Sequence, residues 1–409
     1  MNKLFRNLFI IILIIIFVVA FSSSYLSLSM DNLAYVLAIG IDKSSDSNSD
    51  LQVSFQFSTT SQASEAGTTE KSPTVINSVT ASSLSTAINL MNSYMGKELN
   101  MSHCKVIIFS EQLAEEGISD EIYTLINNTQ VRPSSNIIIS KCTAKTYIEQ
   151  TSPELENLIS KYYEIFNNSG KYTGFMPDAT IGTFFNNIIC TTCEPVAILG
   201  GLAKEQPSNN MAHENFNITA NESSIEGQNG SENIGMAVFK GDEIVGELSS
   251  LETIAYLTMH NKVDRFLISI PDPEVTGHYL DIYLTPTGST KVKIDTSTSS
   301  PYIKVKTKFT GRIYSMSENS NYLKPEILDA ISSTCNQYLE SVFSAYLYKT
   351  SKEFKSDING FGKTAQSNFF TTNEYNAYNW HDSFKNSFFD VKVDTSVKSG
   401  MLITQTEDS

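Results

Sequence analysis

The stretch LAYVLAIGIDKSSDSNSDLQVSFQFSTT, residues 33–60, decides the start of the fold. Its first part is an apolar run that ends in a turn. Its second part alternates strictly, so that Leu51, Val53, Phe55 and Phe57 share one face of an extended strand. The polar segment SSDSNS separates the two parts. The stretch therefore predicts a β-hairpin.

Helices and strands alternate after this hairpin. Residues 82–95 carry apolar side chains at helical spacing, and CKVIIFS, residues 104–110, is typical of a buried strand. SEQLAEEGISDEIYTLINN predicts two helices interrupted at Gly117, and SSNIIISKCT predicts another strand. This alternation predicts an α+β or α/β domain, and we expect an α+β fold made of mixed α/β domains.

The second half of the chain contains a further hairpin and one long helix. GMAVFKGDEIVGELS, residues 235–249, predicts two short strands around a Lys-Gly-Asp turn, and a helix follows. Residues 325–355 predict the longest helix, because Pro325 suits a first helical position. Its predicted apolar stripe is Leu328, Ile331, Cys335, Tyr338, Val342 and Tyr346. FFDVKVDTSV predicts a final strand.

The expected organisation has four parts. A chain of 409 residues is long enough for two or three domains with ample cores. We expect an N-terminal anchor or signal segment, then an N-terminal α+β domain, a middle domain and a C-terminal α+β domain. Their expected ranges are residues 1–30, 31–200, 201–295 (with a polar loop at 208–231) and 296–409.

Charge and cysteine content exclude several classes of protein. The formal net charge is −15, which repels phosphate backbones and anionic lipid head groups, so we expect no nucleic-acid partner. The five cysteines are odd in number and lack the spacing of a disulfide framework. The pair Cys190 and Cys193 is either a redox pair or, as the pattern favours, two unpaired thiols.

No residue pattern indicates catalysis or a bound cofactor or metal. DINGFGKT, residues 357–364, ends like a phosphate-binding loop, but Asp357 occupies the position that needs glycine. We therefore interpret it as the glycine turn that ends a helix. None of the five histidines has a partner at the spacing of paired metal ligands on a helix. Trp380, the only tryptophan, is expected to be a packing anchor, with an aromatic ligand cage as the alternative.

The N-terminal segment is the most hydrophobic part of the chain. Lys3 and Arg6 precede an apolar run over residues 8–21, a length that fits a signal peptide. Extension to residue 28 reaches the length of a spanning helix, whose basic flank would keep the N-terminus in the cytoplasm. Residues 20–22 offer a weak cleavage site. The predicted membrane-anchor residues are Leu8, Ile12, Ile16 and Phe21.

Several blocks, in order, resemble the Ger(x)C (GerAC-like) family, the C subunits of nutrient-germinant receptors in spore-forming bacteria. The blocks are DNLAYVLAIGIDK, GKELNMSHCKVIIFSEQLAEEGI, VRPSSNIIISKCTAK, GMAVFKGDEIVGELSSLET, KSDINGFGKTAQSNF and NWHDSFKNSFFDVKVDTSVKSG. The resemblance implies an elongated ectodomain of about three α+β domains on the outer face of the spore inner membrane. It also implies the receptor's A and B subunits as partners, and no catalytic residue.

One departure from the family changes the expected attachment. Family members usually have a cysteine that is cleaved and acylated shortly before the first block, whereas this chain has Ser22, Ser23 and Ser24 there. Lipidation is therefore excluded in this region, and we expect α-helical anchoring by a single retained span.

The leading hypothesis is a non-enzymatic, tethered receptor subunit needed for assembly or signalling. The alternative is a tethered solute-binding protein that captures a small nutrient itself, and a third, an envelope hydrolase, lacks a catalytic constellation. Whether this subunit contacts the germinant is open. Tyrosines and phenylalanines at 373–389 are candidates for a partner surface or for core.

Overall fold

The predicted hairpin at residues 33–60 forms the centre of a large sheet. Strand β1 (Leu33–Lys43) pairs antiparallel with β2 (Leu51–Ser58), with Ile39 opposite Phe55. The computed structural model describes residues 2–24, 32–45, 50–59, 74–203, 217–223, 225–315, 322 and 324–398. Residues 208–216 of the predicted polar loop lie outside these ranges.

Within the described residues, nine strands form this first sheet, in the order β3-β2-β1-β5-β6-β7-β8-β9, with β4 beside β1. The remaining strands are β3 (Thr74–Ala81), β4 (Glu98–Asn100), β5 (Val106–Ser110), β6 (Asn136–Ser140), β7 (Val196–Leu202), β8 (Ser231–Lys240) and β9 (Glu243–Leu248). Strands β1, β5, β6 and β7 are parallel, and antiparallel pairs extend the sheet at both ends. The parallel strands are buried on both faces, which explains their continuous apolar runs.

Five strands of the described residues form a second sheet. They are β10 (Phe266–Pro271), β11 (Tyr279–Pro286), β12 (Lys291–Asp295), β13 (Tyr302–Ile313) and β14 (Phe388–Lys398). Strands β11 and β12 pair antiparallel with successive parts of β13, and β14 pairs parallel with it. Burial alternates along β13 because one face of this sheet meets the core and the other meets solvent.

Helices connect and cover the strands. In the described residues they are α1 (Asn2–Ser24), α2 (Leu84–Met95), α3 (Glu111–Ala114), α4 (Ser119–Asn127), α5 (Ala144–Gln150), α6 (Ile159–Ile165), α7 (Gly170–Thr173), α8 (Ile181–Ile188), α9 (Ser250–Met259), α10 (Pro325–Tyr348), α11 (Phe361–Gln366), α12 (Thr372–Tyr378) and α13 (Trp380–Phe384). The mixed α/β character expected from the sequence is confirmed, as is the interruption between α3 and α4.

The longest described helix begins at Pro325, as predicted, and continues as a π-helical turn over Lys349–Phe354. Its buried face is rotated from the predicted stripe. The buried residues are Ile327, Ile331, Cys335, Leu339, Phe343, Tyr346 and Leu347. Leu328, Tyr338 and Val342 are only partly buried at the edge of that core. Spacing alone does not separate these neighbouring faces, because adjacent apolar positions are only one residue apart.

Two hydrophobic cores meet at strand β8. Ala237 and Phe239 belong to the core of the first sheet, whereas Met236 and Val238 pack into the core that contains the second sheet and α10. Alternate side chains of a strand point to opposite faces, so one strand contributes to both cores. The chain therefore joins its halves through shared apolar packing.

Strand pairing groups the chain differently from the expected ranges. The first sheet continues past residue 200 through β8 and β9, and the second sheet spans residue 295 because β12 pairs with β13. Strand pairing by itself does not define domain boundaries, so the four-part division stays a prediction.

Candidate functional site

The carboxylate at the end of β1 holds the start of α5. The backbone N–H groups of Ala144 and Lys145 donate to the two carboxylate oxygens of Asp42 at 2.6 and 3.0 Å. Burial raises the pKa of Asp42, and these two hydrogen bonds act in the opposite direction. Gly40 lies beneath the same helix, where an added Cβ would come within 2.9 Å of Ile148 Cδ1. In the Gly-Ile-Asp pattern of the first block, Gly40 therefore allows α5 to pack closely, and Asp42 accepts hydrogen bonds from its first turn.

Asp357 plays the same part at the start of α11. The N–H groups of Phe361 and Gly362 donate to its oxygens at 3.0 and 2.7 Å, and Trp380 Nε1 donates at 2.9 Å. Burial raises the pKa of Asp357 to about 6. Gly360 has the left-handed conformation that a turn before a helix requires. Asp357 therefore caps a helix at the position where a phosphate loop would need glycine.

The turn of the β8–β9 hairpin connects three regions of the chain. The backbone N–H of Ile118 donates to the carbonyl oxygen of Asp242 at 3.2 Å, and Ser119 N–H donates to its Oδ2 at 3.2 Å. Gly241 N–H donates to Glu194 Oε2 at 2.7 Å. The predicted hairpin is confirmed, and its turn caps α4 as well as joining two strands.

The C-terminal part of the chain contacts this hairpin and the helix α9 that follows it. Ser356 Oγ donates to the carbonyl oxygen of Phe239 at 2.6 Å in a buried position. Lys349 Nζ pairs with Glu252 Oε2 at 2.9 Å. The Ser356 contact places the fourth and fifth blocks of the resemblance side by side. The sequence did not indicate either contact, because each joins residues about a hundred positions apart.

Cys190 and Cys193 are joined by a disulfide. The preference for two unpaired thiols is therefore wrong, because the turn between them brings the Cα atoms to 5.4 Å. His381 Nε2 lies 2.9 Å from the carbonyl oxygen of Thr191 in the same loop, and its Nδ1 lies 3.8 Å from Glu194 Oε1. This loop thus contacts the segment around α13.

The remaining cysteines and histidines form no reactive cluster in the described part of the chain. Burial raises the pKa of Cys104 and Cys335 to about 12, so both stay protonated thiols near neutral pH. Burial lowers the pKa of His260 to about 4, and this ring contacts the carbonyl oxygen of Ile358 at 3.3 Å. No group of three or more histidine, cysteine or acidic side chains among the described residues could hold a metal ion.

The aromatic residues at 373–389 belong mainly to the core. Tyr375, Trp380 and Phe384 are buried, which confirms the packing role expected for Trp380. Phe388 is 55% exposed. The exposed residues of this segment, such as Phe388, therefore remain the candidates for a partner surface.

Helix α1 covers the predicted anchor. Ile12 and Ile16 are exposed, and Leu8 and Phe21 lie in the helix, although their side chains are outside the described set. The serines at 22–24 form the last turn of this helix. Among the residues that the structure describes, no helix meets both the length and the hydropathy of a bilayer-crossing segment. The spanning role of α1 stays a prediction.

Comparisons with known proteins match two consecutive parts of the chain, both of which contribute strands to the first sheet. Residues 27–199 match the family model described as spore germination protein N-terminal domain, and residues 234–400 match the model described as spore germination B3/GerAC like, C-terminal. Both family models describe spore germination proteins, and this is the class of protein to which the two-sheet fold belongs. The chain belongs to the GerAC-like family, the C subunits of germinant receptors.

Individual relatives agree with this assignment. The chain is 23% identical over 340 residues to spore germination protein KC of Bacillus subtilis (strain 168), covering 82% of this chain and 81% of that protein. It is also similar to the crystal structure of the GerBC protein, with a TM-score of 0.55 and 14% identity, covering 88% of this chain and 96% of that chain. At this identity the structural likeness concerns the fold.

Proposed function

We propose that this chain is a non-enzymatic, membrane-tethered subunit of a spore nutrient-germinant receptor, required for its assembly or signalling. The observation that carries the proposal is the family match across both halves of the chain. The partners are the receptor's A and B subunits, and the folded part lies on the outer face of the spore inner membrane.

The hydrogen bonds of the buried carboxylates support a non-enzymatic role. Asp42 and Asp357 each accept backbone N–H groups at the start of a helix, and Glu194 accepts Gly241 N–H. A general base must reach a substrate proton, whereas these oxygens are directed at the protein's own backbone. The arrangement positions helices and strands.

The exposed apolar side chains of α1 support tethering. Large hydrophobic residues on a helix that packs against no described core need another apolar environment. No cysteine precedes Cys104, so acylation near Ser22 is chemically excluded and the helix itself would supply the attachment. A tether raises the effective concentration of the ectodomain near membrane partners.

The test compares two pairs of substitutions at the same helical spacing. Ile12→Asp with Ile16→Asp places charges in the middle of α1, at a cost of about 2.5–3.5 kcal/mol each in a bilayer. Asn89→Asp with Ser93→Asp adds the same charge to an exposed face of α2. We expect a wash at about 1 M salt, which screens charge-based attachment, to release the first pair from the membrane fraction, and we expect this pair to abolish the nutrient response of the spores. The second pair should do neither.

Mass spectrometry of the membrane-bound chain provides an independent check. We expect a mature protein that retains α1. A mature N-terminus near Ser23 would overturn the tether, and a normal nutrient response in spores that lack the chain would overturn the receptor role.

Nutrient capture by this chain alone is the second candidate. A groove of about 490 Å³ is lined by Tyr162, Phe166, Tyr172, Asn229 and Asn233. Its amides already have partners within the protein, because Asn229 Nδ2 donates to the Ser231 carbonyl at 2.8 Å and Asn233 Oδ1 accepts from Tyr147 at 2.8 Å. Calorimetry of the purified chain with amino acids, sugars and nucleosides separates the two functions, since tight binding would favour capture.

A further inference from the structure

The solvent face of the second sheet carries a dense array of cations. Paired and alternate positions of β12, β13 and β14 point to the same side of the sheet. The exposed basic residues there are Lys291, Lys293, Lys304, Lys306, Lys308, Arg312, Lys392 and Lys398. The acidic residues on the same side are Asp295, Asp390 and Asp394 in these three strands and Asp281 in β11. We call this surface the basic face.

Like charges stand directly opposite one another across the basic face. Lys306 pairs in register with Lys291 on one side and with Lys392 on the other, and Lys293 lies opposite Lys304. Directly opposed like charges destabilise a sheet. The opposed lysines therefore lower the stability of the folded state. The net charge of −15 shows that acidic residues, which could pair with these lysines, outnumber basic residues in the chain.

Few of these cations are neutralised within the protein. Among the described residues, Lys308 is the one member of the basic face with a carboxylate within 4.0 Å, pairing with Asp394 at 2.7 Å. Lys304 Nζ lies over the Tyr302 ring at 5.2 Å. The other ammonium groups of the face remain available to an external anion.

The composition of the basic face distinguishes between anionic partners. Seven of its eight cations are lysines, which act as mobile point charges, whereas arginine forks are suited to fixed carboxylates. Tyr302 and Phe388 are partly exposed at one end of the face, at 39% and 55%. Tyrosine is enriched at the head-group level of membranes, and an exposed phenylalanine beside it adds apolar surface.

A concavity at the other end of the basic face has similar chemistry. Arg265, Arg312, Tyr283 and Tyr314 line a space of about 580 Å³. The guanidinium of Arg265 lies 5.8 Å from the centre of the Tyr283 ring, and Tyr314 is 68% exposed. Two cations beside two phenol groups suit a phosphate-bearing head group.

We propose that the basic face docks on a bilayer that contains anionic phospholipid. A flat array of lysines flanked by exposed aromatic residues matches a fluid surface of negative charge more closely than it matches one defined acidic protein. The overall charge of −15 predicted repulsion from such lipids, but the charges are segregated and this face is locally positive. Docking would orient the ectodomain, and it does not depend on α1.

The experiment uses the full chain with Ile12→Asp and Ile16→Asp, so that α1 does not contribute to binding. Co-sedimentation is measured with vesicles of phosphatidylcholine alone and with vesicles of equal parts phosphatidylcholine and phosphatidylglycerol. We expect binding to the second kind only, lost at about 1 M salt, where the screening length falls to about 3 Å.

Matched variants locate the binding surface. Lys293→Gln, Lys306→Gln and Lys392→Gln together should weaken binding to the anionic vesicles by about tenfold or more. The control is Lys97→Gln, Lys171→Gln and Lys363→Gln, which makes the same charge change at exposed positions elsewhere. The control should bind like its parent. Thermal unfolding verifies folding, and removal of opposed charges should not lower the midpoint.

Three results would overturn the proposal. They are equal binding to neutral and anionic vesicles, no binding to anionic vesicles at low salt, and equal losses in the two triple variants. Binding to soluble polyglutamate without binding to vesicles would assign the face to an acidic protein instead. Anchoring by α1 is tested separately. Binding of the unsubstituted chain to neutral vesicles measures the contribution of α1 alone, because the basic face does not bind neutral lipid.

Discussion

At the scale of single residues, the buried carboxylates of this protein organise the backbone. Asp42 and Asp357 are buried, and each accepts N–H groups from the first turn of a helix. Such groups lack partners within the helix, so a carboxylate there replaces lost solvation. Both residues lie in blocks of the family resemblance, which therefore records requirements of the fold.

The pKa of Asp357 predicts a pH dependence of stability. Burial raises this pKa to about 6, so the folded state retains a proton that the unfolded state loses near pH 4. The stability from this group is complete below about pH 4 and is lost as the pH rises through about 6. We expect the difference in unfolding free energy between the wild type and Asp357→Asn to fall by about 1–3 kcal/mol between pH 4 and 7.

Urea unfolding of both proteins at several pH values measures this difference, and other titrating groups cancel in the comparison. A difference that stays constant from pH 4 to pH 7 would show that Asp357 titrates normally.

At the scale of elements, α10 completes the edge of the second sheet. The N–H groups of Val393, Thr395 and Val397 on β14 donate to the side chains of Glu340, Asn336 and Ser332 at 3.0, 2.8 and 3.1 Å. Four residues of helix advance about 6 Å and two residues of strand about 6.7 Å, so the two rows stay in register. An exposed strand edge is thereby closed.

Asn336→Ala tests this edge contact. The substitution leaves Thr395 N–H without its acceptor, and an unpaired buried donor costs about 1–3 kcal/mol. Gln337→Ala, on the exposed face of the same helix, is the control and should change stability by less than about 0.5 kcal/mol. Chemical denaturation compares the two, and equal effects would contradict the role of Asn336.

At the scale of the whole molecule, β8 joins the two cores. Its alternate side chains pack in opposite directions, and Ser356 adds a buried hydrogen bond to Phe239. Unfolding of one core would displace strand β8. The other core would then lose the side chains that the opposite face of β8 contributes to it. We therefore expect the described fold to behave as one cooperative unit.

Ile108→Ala, a fully buried position in the first core, tests this coupling. The substitution should cost about 2–5 kcal/mol. Trp380, the only tryptophan, lies in the second core and reports its unfolding by fluorescence. We expect the fluorescence and far-ultraviolet circular dichroism midpoints to fall together. A fluorescence midpoint that does not move would show that the cores unfold independently.

The amino-acid sequence by itself determined the elements with local signals. The hairpins at β1–β2 and β8–β9 follow from period-two alternation around polar turns, and the start of α10 follows from Pro325. These patterns depend on neighbours two to four residues apart, which the sequence displays directly.

Only the tertiary structure decided which distant residues meet. The contact of Asp42 with α5, the double role of β8, the disulfide and the rows of opposed lysines all depend on strand order and register. The alternating lysines of β13 were visible in the sequence, but a basic face exists only because β12 and β14 add theirs beside them. Such pairings depend on the packing of the whole chain, so they cannot be predicted from the spacing of residues that are close in sequence.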